Sequence, residues 1–225
     1  MLNYEIEPSA LASFVPAGTE LDLWNGKTFV SVVGFLFQRA RVFGISIPFH
    51  RDFLEVNLRF YVRRKAPDGW RRGVVFIKEI VPRTAIALVA RKLYNEPYIA
   101  LSMAHRIEHA GDLLRSAEYF WRFAGEEHSL RIAAHGEAQP LQHGSEAEFI
   151  TEHYWGYTGQ RDGGCLEYRV EHVPWRLWQT SRAELACDVA GLYGREFAEA
   201  LASPPKSAFL AEGSDVTVYR GRDLR

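Results

Sequence analysis

Residues 54 to 62 read LEVNLRFYV: Leu54, Val56, Leu58, Phe60 and Val62 alternate with Glu55, Asn57, Arg59 and Tyr61. A period of two sends the two sets to opposite faces of one strand. Strand-length runs recur at VVFIKEIV (74 to 81) and then at YIALSMAHRI, LRSAEYFWRFA, HSLRIAAHGEA, EFITEHYWGYT, CLEYRVEHV and LWQTSR, with SDVTVYRG as a last strand. Gly, Asp, Gln and Pro clusters separate them. Asn25-Gly26, inside LDLWNGKTFVSVVGFLF, predicts a hairpin, and RKAPDGWRRG predicts a turn between two antiparallel strands. Helical spacing is confined to a short piece at Pro8 to Phe14, to 83 to 94 with Ile86, Val89 and Leu93 on one stripe, and to roughly Ala183 to Leu201. The whole predicts a mainly β (α+β) single domain over 1 to 225. Its frame is a large curved antiparallel sheet or closed barrel with two main flanking helices.

Composition narrows the classes of function. The chain has 225 residues, is 47% hydrophobic and carries a formal net charge of -1. That length buries a full core, and the balanced charge gives no general attraction to nucleic acid or acidic membranes. The arginines are scattered among acids rather than gathered into a nucleic-acid footprint. No apolar run approaches the roughly 20 residues needed to span a bilayer, and the start MLNYEIEPSALASF lacks a signal-peptide pattern, so a cytoplasmic protein is expected. Cys165, at a strand entry, and Cys187, on the buried side of a helix, are expected as reduced thiols.

Two motifs test for other chemistry. HRIEH, His105 to His109, matches the H-x-x-E-H pattern of inverted zinc proteases, which requires a helix. Here the flanking sequence reads as strand, turn, strand, and in a strand the histidines stand about 13 Å apart, too far to share a metal. A zinc hydrolase through His105 and His109 is therefore a remote alternative, and no metal or cofactor is expected. GQRDGG lacks the Lys and the helix of a phosphate-binding loop.

The succession LDLWNGKTFVSVVGF, PFHRDFLEVNLRFYV, RRGVVFIKEI, ARKLYNEPYIALSM and FITEHYWGYT resembles the uncharacterised bacterial YqjF-like family over most of the chain. That family is similar in turn to acetoacetate decarboxylase. The resemblance implies a cone-like β-barrel around a buried pocket. The decarboxylase reaction needs a lysine held neutral so that it forms a Schiff base, the handling of a catalytic amine for which acetoacetate decarboxylase is a standard case. In the decarboxylases two consecutive lysines follow the proline of a stretch resembling RKLYNEP; the positions after Pro97 are here Tyr98 and Ile99. Neither forms an imine. Lys78 is the remaining lysine in a strand core and is read as a rim residue.

The resemblance also runs through the polar set of LEVNLRFYV. A surface strand would show that set to water. Asn inside a strand, and an apolar side that helices such as 83 to 94 can cover, favour an interior position instead. The expectation is then a small carboxylate or carbonyl compound bound in the barrel without Schiff-base chemistry, with Arg59 fixing the anionic or carbonyl group and Asn57 and Tyr61 hydrogen-bonding. Tyr98, His153 and Tyr154 complete the ligand-binding set. Glu55 is the acid or base candidate, giving a lyase or hydrolase as the alternative. A homo-oligomer is compatible with this reading.

Overall fold

A strand that is apolar on one side and polar on the other needs two different covers. The computed structural model, which describes residues 1–38, 41–42, 45–46, 52–84, 95–111 and 113–224, supplies both. Its strands, in chain order, are β1 (Leu2–Ile6), β2 (Glu20–Leu21), β3 (Thr28–Phe37), β4 (Arg41–Val42), β5 (Ile45–Ser46), β6 (Phe53–Ala66), β7 (Gly69–Val81), β8 (Tyr98–Ala100) and β9 (Met103–Ala110). They continue as β10 (Leu113–Phe123), β11 (Glu126–Gln139), β12 (Trp155–Gly159), β13 (Cys165–Glu171), β14 (Leu177–Ala186), β15 (Ser207–Ala208), β16 (Leu210–Ala211), β17 (Thr217–Val218) and β18 (Arg222–Leu224). The helices are short: α1 (Pro8–Leu11), α2 (Glu146–Thr151), α3 (Val189–Leu192) and α4 (Ala198–Ala202).

One sheet runs β15-β1-β3-β6-β7-β12-β13-β17, with β2 also on β6, β8 on β7 and β18 on β13. A second runs β16-β14-β11-β10-β9. The mainly β expectation holds. Among the described residues pairing is antiparallel except that β8 and β12 both run parallel to β7. A third, two-stranded sheet pairs β4 with β5, and among the described residues none of the three closes into a ring.

The apolar face of β6, with Val30 and Val32 of β3 and Val75 of β7, packs on Tyr119, Trp121, Leu130 and Ile132 of the second sheet. Each such side chain contributes about 1.5–3 kcal/mol by leaving water. The expected cover for this face, a helix over 83 to 94, lies mostly outside the described residues; in those described, the cover is a sheet. The polar face is roofed by α2, whose Phe149 and Ile150 join Phe29, Val33, Tyr61 and Val74 in a smaller apolar cluster.

Three expectations change. EFITEHYWGYT is not one strand: it is the end of α2 followed by β12. The Ser145 hydroxyl accepts from the Glu148 amide at 3.1 Å, and the Glu148 carboxylate accepts from the Gly144 amide at 2.6 Å. These reciprocal bonds, closely related to a capping box, start the helix and outweigh the strand-like alternation. The helix expected over 183 to 201 is also broken up. β14 extends to Ala186, and Gly194, at φ 123, turns the chain between α3 and the 3-10 turn Arg195–Phe197. Cys187 accordingly lies between a strand and a helix rather than on a helix; both cysteines are free. Finally, Asn25 and Gly26 form the expected tight turn, both at positive φ between the bridged pair Trp24 and Lys27. The strand before it, however, pairs β6 instead of β3.

No helix among the described residues is long and apolar enough to cross a membrane.

Candidate functional site

Directly opposed residues in a sheet share a face, so register assembles the site. Asn57 of β6 opposes Glu79 of β7, and Glu79 opposes Tyr98 of β8. Glu96 is brought beside Glu79 by a turn at Pro97, closed by the Tyr98 amide on the Glu96 carbonyl at 2.9 Å. On the other side of β6, Ser31 of β3 opposes Arg59, and Asn3 of β1 opposes Ser31. One face of five strands thus carries a band of two polar rows, Asn3-Ser31-Arg59 and Asn57-Glu79-Tyr98, set among apolar neighbours such as Val33 and Phe76.

The band is dry. Glu55, Asn57, Arg59, Tyr61, Glu79, Glu96 and His153 are all buried. Glu55 accepts from Asn57 Nδ2 at 2.8 Å and from the Tyr98 hydroxyl at 3.1 Å. Tyr98 is half-buried overall, but its hydroxyl end sits among the acids and also faces Glu79. Glu96 accepts from Thr158 Oγ1 at 2.5 Å and from the Tyr168 hydroxyl at 3.0 Å. Three acceptor oxygens have no hydrogen-bond partner: Asn57 Oδ1, Glu79 Oε2 and Glu96 Oε2. Each such orphan costs about 1–3 kcal/mol.

Burial sets the protonation of these acids. Desolvation pushes Glu55 up to about 7 against the opposing pull of Asn57, Tyr98 and the Arg59 charge. It also pushes Glu96 up to about 7 despite Thr158 and Tyr168. Glu79 is raised well above the usual carboxylate range by desolvation and then by the charges of Glu96 and Glu55. Near neutral pH the cluster holds a mixture of acid and carboxylate, able to donate and accept protons.

At the other end of the band stands Arg59. It is 7% exposed, donates to the Ile150 carbonyl at 3.2 Å and to Met1 Sδ at 3.9 Å, and its Nε has no partner. Among the described residues no carboxylate lies within ion-pair distance of it. Tyr61 donates to Ser31 Oγ at 2.6 Å, and Ser31 donates to Asn3 Oδ1 at 2.7 Å. The His153 ring stacks on Tyr61 at 4.7 Å. Arg72, which bonds Asp22 at 2.5 Å, lies 3.4 Å from His153 Nε2; a guanidinium only donates, so Nε2 is the acceptor. Desolvation, then the charges of Arg72 and Arg59, hold His153 well below its usual range, as a neutral ring.

Of the residues expected from sequence, Glu55, Asn57, Arg59, Tyr61, Tyr98 and His153 meet on this band. Tyr154 does not. Its hydroxyl bonds Glu152, and its ring stacks on His172 at 5.0 Å, away from the acids. Ile99 packs into the main core, leaving Tyr98 alone of its pair in the cluster. Lys78 opposes Leu58, on the face opposite Glu79. His105 and His109 are exposed on β9, a strand, where they stand about 13 Å apart. Among the described residues no group of His, Cys, Asp and Glu could hold a metal ion.

Sequence reasoning missed Glu79, Glu96, Thr158 and Tyr168 as members of the cluster. Glu96 enters through a turn at Pro97, which no alternation in the sequence marks. For Glu79 the signal was masked by a register shift between Leu58 and Arg59, where β7 inserts an extra residue and reverses the phase of its alternation.

Comparisons with known proteins agree with this architecture. A model of the family DUF2071, described as an uncharacterized conserved protein, matches residues 1–215. The uncharacterized protein YqjF of Bacillus subtilis (strain 168) is 30% identical over 192 residues, covering 82% of this chain and 73% of YqjF. Among solved structures, acetoacetate decarboxylase from Legionella pneumophila superposes with a TM-score of 0.61 at 14% identity, covering 100% of this chain and 83% of its own. The enduracididine biosynthesis enzyme MppR complexed with pyruvate gives 0.60 at 12% identity, covering 99% and 81%. An acetoacetate decarboxylase-like enzyme from Sphingomonas wittichii RW1 gives 0.58 at 15% identity, covering 96% and 84%. At these identities the solved structures establish an acetoacetate decarboxylase-like fold.

Proposed function

We propose, for a chain that belongs to the DUF2071 family of uncharacterised conserved proteins, that it binds a small carboxylate or carbonyl compound on the buried polar band, acting as a single domain without Schiff-base chemistry. One observation carries this reading: Arg59 is a buried guanidinium with an unpartnered Nε and no paired carboxylate among the described residues, at one end of a band whose other end is acidic. A permanently charged group in that position calls for an anion, and a planar carboxylate matches its fork. The guanidinium lies 5.7 Å from the Tyr61 ring centroid, His153 stacks on that ring, and Asn57 is two residues along the strand. Tyr98 stands where the decarboxylase-like pattern carries a lysine, and its phenol donates to Glu55 instead of forming an imine. A neighbour of the same fold, MppR, is described in complex with pyruvate, a compound of this size and class.

A second reading is favoured by Glu55 itself. Its pKa of about 7 suits a general acid or base at neutral pH, so a bound carbonyl compound could be enolised or hydrated there. Binding is the primary claim because it rests on geometry.

Pyruvate and acetoacetate should raise the melting temperature saturably, and Arg59→Leu should abolish the rise. Borohydride added to the mixture should leave the intact mass unchanged. A stoichiometric adduct, or stabilisation that survives in Arg59→Leu, overturns the reading.

A further inference from the structure

The cluster has acceptors to spare. Asn57 Oδ1, Glu79 Oε2 and Glu96 Oε2 are buried oxygens without hydrogen-bond partners; Asn57 and Glu79 are directly opposed on β6 and β7, and Glu96 stands close enough for its charge to act on Glu79. Asn57 is wholly buried and its amide is fixed by the bond from Nδ2 to Glu55, which leaves Oδ1 as a fixed acceptor beside the two acids. Among the described residues no lysine or arginine forms an ion pair with Glu55, Glu79 or Glu96. Once Glu79 and Glu96 give up their protons these oxygens are acceptors only, which suits a group rich in N–H, and a primary ammonium brings three.

We propose that the ligand carried by Arg59 is a short ω-amino acid or an equally compact zwitterion, its carboxylate on Arg59 and its ammonium received by Asn57, Glu79 and Glu96. This rests on the carboxylate reading of Arg59 and adds the chemistry of the far end. The dimensions agree: residues two apart on a strand are separated by about 7 Å, and an extended five-carbon ω-amino acid spans about 6 Å from carboxylate carbon to nitrogen, with bonds near 1.5 Å. A dicarboxylate of the same length would instead set a second anion against three acids.

Titration calorimetry at neutral pH with 5-aminovalerate, valerate and glutarate separates the two levels of inference. The amino acid should bind at least about tenfold more tightly than valerate, and glutarate more weakly than valerate. Glu79→Gln should bring the amino acid to within about threefold of valerate while leaving valerate's own affinity unchanged. Should Glu79→Gln fail to melt cooperatively, Glu96→Gln replaces it, since the amide still accepts from Thr158 and Tyr168. Valerate binding as tightly as 5-aminovalerate, with both lost in Arg59→Leu, overturns the ammonium site and leaves the carboxylate reading standing. Absence of Arg59-dependent binding by any of the three overturns both.

Discussion

Glu167 and Glu79 are both buried glutamates on neighbouring parts of one sheet, and their surroundings are opposite. The Glu167 side chain is 0% exposed and saturated: Oε1 accepts from Arg71 at 2.6 Å and from Arg222 Nε at 2.9 Å, while Oε2 accepts from Arg64 and the Tyr157 hydroxyl, both at 3.2 Å. Those arginines come from β6, β7 and β18, so one carboxylate ties three strands to β13. Arg71 is further held 4.1 Å from the Trp155 ring centroid. Glu79 has one oxygen without any partner, and its charged neighbours are acids. Folding alone explains Glu167. It does not explain Glu79, because an apolar residue there would remove both the orphan and the repulsion.

The sharpest way to break that contrast is to remove each in turn. Glu167→Leu strands three arginines around a buried apolar side chain, and loss of one member of a buried charged set costs about 3–5 kcal/mol. Arg222, whose side chain is 57% exposed, can turn to solvent, so the lower half of that range is expected. Urea unfolding should show the midpoint falling with an unchanged slope. A loss below about 1 kcal/mol would put the arginine cluster in the class of surface pairs and dissolve the comparison.

The next effect concerns pH and separates charged from neutral burial. Glu55 and Glu96 have folded pKa values of about 7, above the ordinary 4.5. The folded state therefore holds their protons more tightly than the unfolded chain. Their contribution is fully present below about 4.5 and is lost as pH rises through about 7, at on the order of 3 kcal/mol each. His153 acts in the other sense: kept neutral in the fold, it opposes stability as pH falls below 6.5. Subtracting the stability of Glu55→Gln from that of the native protein between pH 4 and 8 isolates the first effect. The variant should gain on the native protein steadily as pH rises. A flat difference would mean that Glu55 is solvated, and the acidic end of the band would lose its distinction from an ordinary surface strand.

How much of this was legible beforehand follows from the physics of each signal. The alternation of LEVNLRFYV and the misplaced Asn57 located β6 and its buried polar face, because period-two patterning survives whenever a strand is regular. Tyr98 and His153 were found through motif position and aromatic context. The acids facing them were not, since the register shift in β7 hides the face of Glu79, and a pairing between distant strands leaves no trace in local sequence. α2 was misread for a different reason: Ser145 and Glu148 signal a helix start that the alternating residues after it contradict. The Glu167 cluster was equally invisible, its arginines lying 96 and 103 residues before it and 55 after.

The smallest expected effect is the most telling. At neutral pH Glu79 is held as the neutral acid, so Glu79→Gln replaces one uncharged planar group with another of the same shape. Its amide, like the acid proton it replaces, can donate toward the unpartnered oxygen of Glu96. Stability at pH 6 should therefore change by less than about 1 kcal/mol, within the range of a single neutral hydrogen bond. At pH 9 the sign becomes clear. The native acid is under growing pressure to ionise beside Glu55 and Glu96 as pH rises, while the amide is not, so the variant should melt higher than the native protein there. Paired melting curves at the two pH values measure this directly. If Glu79→Gln instead destabilises the protein as much as Glu167→Leu at both, then Glu79 works as an ionised structural anchor, and its orphaned oxygen cannot be read as kept for a ligand.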